Sequence, residues 1–347
     1  MRLRLIFILI LNLAFFSLIN ILSISGSENF LRQLIFWFVG FLLLVSGLFI
    51  DYRHIFYSPY FHIIVALSII SLIIVLFMPG YPKSWIHLGR FTLQTSEFAK
   101  LGLFLILVNF LVKYARDLKN IVFLFLILLQ VAVFFILLIL QPDMGMAFLY
   151  FLIIAASLIS FLPLRTIFYS IFVLIIIFSL FWFLVLKPYQ KERILTFFNL
   201  EEDPLTAGYN QRQVKVIIAT AGLWGKGIGR SEISKMGFLP AKDTDFILTS
   251  LIEEQGLIGF LIYALLIFLL LREISIFNKF ITEPYQSAFS YLVFVYLGIK
   301  FILTSLINLG IFPIIGLPVP FLSSGGSHLI FDLWLIGILI SFKRMIS

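Results

Sequence analysis

A series of long apolar stretches limits the fold of this chain more than any other feature. Ten of them lie at about 5–22, 34–50, 60–78, 98–112, 121–140, 144–162, 166–186, 255–271, 286–308 and 327–342. A helix needs about 20 apolar residues to cross the hydrocarbon core of a bilayer. Hydrophobic residues form 62% of the 347 residues and charged residues only 12%, which excludes a soluble globule. The sequence predicts an all-α integral membrane protein with about ten transmembrane helices.

Several classes of site are excluded by composition. The chain has no cysteine, which rules out disulfides and cysteine nucleophiles, and its four histidines lack the spacing of zinc ligands. No glycine-rich loop with a Walker lysine is present. Apolar runs that do not alternate with polar residues exclude a transmembrane β-barrel. We therefore expect no nucleotide, haem, zinc or nucleic acid to bind.

The distribution of Lys and Arg predicts the orientation in the membrane. One set of short connections and both termini carry eleven of these residues, and the short connections of the opposite side carry three. Positive residues favour the cytoplasmic side. Both termini are thus predicted in the cytoplasm, and 79–97, 141–143, 187–254 and 309–326 on the outer face. We expect one membrane domain, 1–347, with a large extracytoplasmic loop between helices 7 and 8 (187–254) that contains interfacial helices.

Charged residues within or beside the apolar stretches are candidates for function, because each costs about 2.5–3.5 kcal/mol to insert. Glu97 and Lys100 share a helix face at the start of the fourth stretch and can pair. They serve either to neutralise each other or to place substrate. Lys300 and Asp332 lie at similar depths in the ninth and tenth stretches, which predicts an ion pair between two helices.

Asp143 follows Pro142 at the start of the sixth stretch. A carboxylate at this position caps the free N–H groups of a helix. A cap that also coordinates a cation, or a metal bound to pyrophosphate, is the alternative.

The segment 204–242 is basic, with six cations and one acid, and it contains the glycine-rich run AGLWGKGIGR at 221–230. Glycines allow backbone N–H groups to approach an anion, and Lys226 and Arg230 add positive charge. Val214–Ala219 is an apolar run too short to cross the membrane. Together these features predict a basic surface for the polyanionic headgroup of a lipid.

Two acids, Asp243 and Asp245, follow this basic surface. A carboxylate beside an anion site suits a glycosyl transfer, because it can take the proton from an attacking hydroxyl. From spacing alone, a solvated loop that caps a helix is favoured.

The segment 313–327 is rich in Pro, Gly and Ser between two spans, which predicts a re-entrant loop lining a cavity.

Taken in order, these segments resemble the SEDS family of bacterial cell-wall proteins. The resemblance covers nearly the whole chain and is carried by WIHLG (85–89), QTSEFAK (94–100), QPDMG (141–145), DPLTAGY (203–209), GLWGKG (222–227), TDFI (244–247), EEQG (253–256), GLP (316–318) and SSGGS (323–327). Thr95, Ser324 and Thr92 depart from the usual pattern. GLP and the short termini resemble the elongation branch of the family, concerned with cell shape, more than the division branch.

The resemblance implies a peptidoglycan glycosyltransferase of the bacterial cytoplasmic membrane that polymerises lipid II on the outer face. Asp245 matches the essential aspartate of the family and would be the catalytic base. Lys226, Arg230 or Arg212 would bind the pyrophosphate, where a divalent cation, Mg²⁺ or Mn²⁺, is an option. The implied partners are a class B penicillin-binding protein, the growing glycan strand and membrane lipids.

Two other functions are compatible with this sequence. A flippase for lipid II would also need many spans, charges within the membrane and a cavity, but it requires a polar route across the full thickness. A scaffold without catalytic activity is the third possibility.

Overall fold

The computed structural model describes residues 3–56, 59–78, 83–89, 91–113, 121–159, 207–231 and 237–342. Within these ranges the regular secondary structure is helical apart from one small hairpin, and loops connect the elements. The elements, in chain order, are α1 (Leu3–Gly47), α2 (Tyr52–Phe56), α3 (Tyr60–Phe77), β1 (Trp85–Leu88), β2 (Phe91–Gln94), α4 (Thr95–Lys113), α5 (Ile121–Leu140), α6 (Met144–Ile159), α7 (Ala207–Ala221), α8 (Ile247–Asn278), α9 (Pro284–Asn308) and α10 (Gly326–Ser341).

Five of these helices, α1, α3, α4, α8 and α9, are long and apolar enough to cross a membrane. α5, α6 and α10 add further apolar segments. The predicted all-α membrane class is thereby confirmed. The predicted span 166–186 lies outside the described residues, as do 187–206 and 232–236 of the predicted outer loop.

α1 consists of two arms that meet at Gly26, where the backbone leaves helical geometry (φ 83°, ψ −175°). Ser17 Oγ donates to the carbonyl of Leu322 (3.3 Å), and Gln33 Nε2 donates to the carbonyl of Ser323 (3.2 Å). A straight helix would separate Ser17 from Gln33 by about 24 Å. The chain therefore folds back at Gly26, and the two arms correspond to the first two predicted spans.

α8 is interrupted at Gly256 (φ 68°, ψ −166°). The arm after the break corresponds to the predicted span 255–271. The arm before it is an additional piece of helix, whose residues 247–254 are all buried in the protein. Buried backbone of this kind is tolerated at membrane depth when protein surrounds it.

The two strands were not predicted. β1 and β2 pair antiparallel, with Trp85 opposite Gln94 and Leu88 opposite Phe91. β2 leads directly into α4, and the backbone N–H of Thr95 donates to the carbonyl of Ser84 (3.2 Å). The hairpin thus fixes where α4 begins, earlier than the apolar stretch at 98–112.

α4 is the central helix of the described bundle, since nearly all of its side chains are buried. Phe104 of α4 packs edge-on against Phe289 and Tyr296 of α9, with ring centroids 6.2 and 5.8 Å apart. Edge-to-face contacts of this kind stabilise the packing beyond the burial of area. This core holds α4 and α9 side by side, which places their polar residues against each other.

Candidate active site

Asp245 lies just before α8, in a short turn with a rigidly held backbone. Three successive carbonyls of this turn each accept a hydrogen bond from the segment 308–324. The donors are Ser324 N to Asp243 O (2.7 Å), Ser323 Oγ to Thr244 O (2.6 Å) and Asn308 Nδ2 to Asp245 O (2.8 Å). We call these three contacts the carbonyl clamp. Because the clamp fixes the peptide units, it also fixes the direction in which the Asp245 side chain projects.

Asp245 is partly exposed, and its carboxylate lies beside the loop between α9 and α10. Its Oδ2 is 3.5 Å from the position that a Cβ would take at Gly316. On the other side of this loop, a Cβ at Gly145 would come within 2.7 Å of the Gly316 carbonyl oxygen. The motifs at 141–145, 244–247 and 316–318, far apart in sequence, therefore meet at one end of the bundle.

Asp143 is buried in the turn before α6, with 8% of its surface exposed. Its Oδ2 accepts from Gln94 Nε2 (2.7 Å) and Ser96 Oγ (2.9 Å), and its Oδ1 accepts from the N–H of Met146 (3.2 Å). The predicted cap of α6 is thereby confirmed. Burial raises the pKa of the Asp143 carboxyl above its ordinary value, against the opposing effect of these hydrogen bonds.

The hydrogen bonds to Asp143 are relevant to whether its carboxylate could coordinate a metal ion. Both of its oxygens already accept hydrogen bonds from the protein, which would orient the carboxylate toward a cation as well. Among the described residues, no three His, Asp or Glu side chains converge in a way that could hold a metal ion. Coordination of a cation by Asp143 therefore stays a prediction.

Glu97 and Lys100 of α4, Lys300 of α9 and Asp332 of α10 form one buried network, each with 0% exposure. Lys100 Nζ lies 2.7 Å from a carboxylate oxygen of Glu97 and 2.7 Å from one of Asp332. Lys300 Nζ lies 2.9 Å from Asp332 and 3.8 Å from Glu97. Both predicted ion pairs are confirmed, but as parts of a single network whose charges sum to zero.

The hydroxyl of Tyr296 completes this ion network. It accepts from Lys100 Nζ (2.6 Å) and Lys300 Nζ (2.9 Å) and donates to Asp332 Oδ1 (2.6 Å). Because every member is enclosed, direct contact of Glu97 or Lys100 with a substrate has no support from this geometry. Their role in placing substrate stays a prediction, and it would have to act through neighbouring residues.

The glycine-rich loop 222–230 is hydrogen-bonded to the break in α8. Residues next to Gly256 lose helical partners there, and the loop supplies replacements. The bonds are Lys226 N to Glu253 O (2.9 Å), Gly227 N to Glu254 O (2.8 Å), Leu257 N to Gly222 O (3.1 Å) and Ile258 N to Leu223 O (3.2 Å). The loop and the broken helix therefore form one structural unit.

This arrangement corrects the expectation that backbone N–H groups of the loop bind an anion. Those of Gly225, Lys226, Gly227 and Arg230 all donate to carbonyls of the protein. The glycines have a different role, because a Cβ at Gly225 or at Gly256 would overlap the backbone of the facing segment. The pattern marks a close crossing of two chain segments.

The three predicted pyrophosphate ligands lie in different environments. Lys226 Nζ is 3.1 Å from Oε1 of the buried Glu253, while the side chain of Arg230 is exposed. Arg212 is partly buried on α7. α7 packs through Val214 and Ile217 against Leu239 and Phe246, next to the turn that carries Asp245. Arg230 is therefore the most accessible of the three cations.

The sequence reasoning missed Asn308. It is buried at the end of α9 and contacts the backbone of Asp245. A signal was present, because Tyr296, Lys300, Thr304 and Asn308 recur at intervals of four within an apolar span. Such spacing places polar side chains on one face of a helix.

The fold and this site define a class: an all-α, multi-pass membrane protein that holds a partly exposed aspartate in a fixed turn at one end of its helical bundle. A sequence model of the family described as "Cell cycle protein", which joins FtsW, RodA and SpoVE, matches residues 3–346. The chain belongs to this family, and the resemblance to SEDS proteins is confirmed.

Individual relatives agree with this assignment. The chain is 34% identical over 310 residues to the probable peptidoglycan glycosyltransferase FtsW of Wigglesworthia glossinidia brevipalpis, covering 86% of this chain and 79% of that protein. It is 32% identical over 305 residues to the peptidoglycan glycosyltransferase MrdB of Escherichia coli K12, covering 84% and 80%.

Two solved structures have the same fold. One comes from work on the structural coordination of polymerization and crosslinking by a peptidoglycan synthase complex, with a TM-score of 0.81, 26% identity and coverage of 98% of this chain and 97% of that one. The other is the rod shape determining protein RodA of Thermus thermophilus, with a TM-score of 0.71, 22% identity and coverage of 98% and 95%. At its level of identity the second likeness concerns the fold alone.

Proposed function

We propose that this protein is a peptidoglycan glycosyltransferase that polymerises the glycan strand from lipid II. Relatives that align over most of the chain are named as peptidoglycan glycosyltransferases. The observation that carries the proposal is the placement of Asp245: a partly exposed residue on a clamped turn, with its carboxylate beside the loop that contains Gly316. A general base needs this combination of access and fixed direction.

In the proposed reaction, Asp245 accepts the proton from the 4-hydroxyl of the acceptor GlcNAc. The hydroxyl oxygen then attacks the anomeric carbon of the donor MurNAc, and the bond between that carbon and the pyrophosphate breaks. Undecaprenyl pyrophosphate leaves with the bonding electrons, and Asp245 returns its proton to solvent. Attack from the face opposite the leaving group converts an α-linked donor into a β-1,4 bond, as in other inverting transfers that use one base.

Stabilisation of the leaving pyrophosphate is assigned to the three cations that the resemblance implies for it. Arg230 is the first candidate because its side chain is exposed, and Arg212 is the second because α7 packs beside the Asp245 turn. Lys226 contributes less directly, since it already pairs with Glu253. A divalent cation, Mg²⁺ or Mn²⁺, would then arrive with the pyrophosphate substrate, while nucleotides, haem and zinc have no part in this chemistry.

Orientation in the membrane follows from charge. Eleven Lys and Arg residues on one side against three on the other favour cytoplasmic termini and an active site on the outer face of the cytoplasmic membrane. Contacts among the predicted outer segments support this, since 141–145, 244–247 and 316–318 meet one another. Residues 1–347 would form one membrane domain.

We also propose a class B penicillin-binding protein as partner, with membrane lipids and the growing glycan strand as further contacts. A structural relative comes from a peptidoglycan synthase complex that couples polymerization to crosslinking.

Within the family we propose a role in elongation and shape, of the RodA type, on the basis of the GLP sequence at 316–318. Relatives of both the FtsW and the MrdB type match the chain. The test is whether this protein restores growth to a strain that lacks its elongation protein or to one that lacks its division protein.

A flippase for lipid II is the second candidate, favoured by four charged residues deep in the bundle. Their mutual pairing at 0% exposure argues against it, because a transport route needs polar groups that a substrate can reach.

The decisive experiment uses purified protein with its transpeptidase partner and lipid II. Asp245→Asn should reduce the rate of glycan polymerisation at least about 100-fold, the usual contribution of a general base. Asp243→Asn is the matched control, because Asp243 lies on the same turn and should tolerate the change. Undiminished polymer from Asp245→Asn would remove it as base, and translocation of lipid II in vesicles without polymerisation would favour the flippase.

A further inference from the structure

We propose that Asn308 is a positioning residue for Asp245, fixing the peptide from which the carboxylate projects. This inference rests on the proposed function, in which Asp245 is the catalytic base. Asn308 itself does not face substrate, since only 1% of its surface is exposed. Its effect would pass through the backbone of Asp245.

The side-chain amide of Asn308 joins three parts of the chain. Its Nδ2 donates to the carbonyl of Asp245 (2.8 Å) and to that of Thr304 in α9 (2.9 Å). Its Oδ1 accepts from the backbone N–H of Thr249 in the first turn of α8 (3.0 Å). Both hydrogens and the oxygen of the amide are used. A side chain with two donors and an acceptor in one plane is required for this, and at this size only Asn provides it.

Asn308 differs from the other members of the carbonyl clamp. Ser323 and Ser324 belong to the loop between α9 and α10, whereas Asn308 belongs to α9 itself. It bonds the carbonyl of the very residue that carries the carboxylate. A change in its position therefore rotates the Asp245 peptide directly.

α9 also connects this contact with the buried ion network. Thr304 Oγ1 donates to the carbonyl of Lys300 (2.8 Å), and Asn308 Nδ2 donates to the carbonyl of Thr304. Lys300 and Tyr296, one and two turns before Thr304 on the same face, are members of the network. The ion network sets the position of α9, and Asn308 transmits that position to Asp245.

The test compares Asn308→Ala and Asn308→Asp with Thr249→Val, each in the full chain with its transpeptidase partner. Asn308→Asp keeps the acceptor for Thr249 and removes the donor to Asp245. Thr249→Val removes the hydroxyl that donates to the Asn308 carbonyl (2.9 Å) and to Asn308 Oδ1 (3.1 Å), and it keeps the Nδ2 donor of Asn308 to Asp245. Initial rates of lipid II polymerisation give kcat and KM, and thermal unfolding in detergent gives the melting temperature of each variant.

Both Asn308 variants should lower kcat at least about tenfold and leave KM within about twofold, as expected when a reacting group is misplaced without loss of binding. Thr249→Val should lower the melting temperature by about as much as the Asn308 variants do. Its kcat should stay within about twofold of the wild-type value. Unchanged kcat in the Asn308 variants, or an equal loss in Thr249→Val, overturns the proposal.

Two further measurements keep the outcome clear. If neither Asn308 variant yields folded protein, Asn308→Gln, which displaces the amide by one methylene group, decides by the same comparison of kcat with melting temperature. Asp245→Asn is assayed in parallel. If it retains activity, the proposed base is wrong; if it is inactive while the Asn308 variants are fully active, only the positioning role is wrong.

Discussion

Lys226 contacts Glu253 twice: its backbone N–H donates to the Glu253 carbonyl at 2.9 Å, and its Nζ lies 3.1 Å from the Glu253 carboxylate. Glu253 is the third residue before the break in α8 and is fully buried, whereas Lys226 is partly exposed. A basic residue that the sequence marks as a ligand for phosphate is therefore also a structural part of the loop. Loss of Lys226 affects folding as well as any binding of substrate.

Lys226→Met should lower the free energy of unfolding by about 1–3 kcal/mol, because the buried Glu253 carboxylate loses its lysine partner. Arg230→Ala is the matched control, since this exposed cation on the same loop should leave the melting temperature unchanged and raise KM for lipid II. Thermal unfolding and initial rates separate the two effects. A double-mutant cycle with Glu253→Gln tests the pair, and simple additivity of the two changes would contradict it.

Gly256→Ala should prevent assembly of the native protein. A Cβ there would overlap the carbonyl of Leu223, and the backbone conformation (φ 68°, ψ −166°) adds about 1–3 kcal/mol of strain. Gly222→Ala is the matched control, with a φ of 63° and open space around its Cβ position, so it carries the strain without the overlap. The yield of monodisperse protein after gel filtration is the measurement. Equal yields from the two variants would show that the crossing is not tight.

Hydropathy predicted most of the helices, because the thickness of a bilayer dictates the length of an apolar span. It failed where the chain is buried by protein instead of lipid. The first arm of α8, 247–255, mixes polar and apolar residues and reads as a loop, yet it is helical and enclosed. The hairpin of β1 and β2 was missed for a different reason, because strands of four residues are too short to leave a periodic signal.

The candidate site shows a similar division. Sequence spacing identified the two ion pairs one by one, but their union depends on how α4, α9 and α10 pack, which spacing does not encode. The glycine-rich loop was interpreted as an anion site because its glycines expose N–H groups. Only the break at Gly256 reveals that the N–H groups of Lys226 and Gly227 have partners in α8.

Because the two ion pairs form one network, exchanging the charges of Lys300 and Asp332 should not restore assembly. With an isolated pair, exchanging Lys300 and Asp332 would restore assembly. In the network, a lysine at 332 would face Lys100, whose Nζ lies 2.7 Å from Asp332 in the native protein. An aspartate at 300 would face Glu97. The swap should therefore fail, since like charges in a buried site are costly.

Removing one positive and one negative charge together should destabilise the protein less than removing one charge alone. Asp332→Asn alone should cost about 3–5 kcal/mol, because two buried lysines then share one carboxylate. Lys300→Met together with Asp332→Asn leaves Glu97 and Lys100 paired and should recover part of that loss. Melting temperatures in detergent measure both. A double variant less stable than Asp332→Asn would argue against charge balance as the organising property of the network.

Gly316→Ala should reduce polymerisation more than it reduces stability. The new methyl group would lie 3.5 Å from Asp245 Oδ2, which is ordinary contact, so it would cover the carboxylate without displacing it. Gly89→Ala is the matched control, because its φ of 65° is close to the 69° of Gly316 while its Cβ position is open. Both variants should lose about 1–2 kcal/mol of stability through backbone strain. If the two also lose activity equally, strain alone explains the effect, and the carboxylate is not approached by substrate from the side of Gly316.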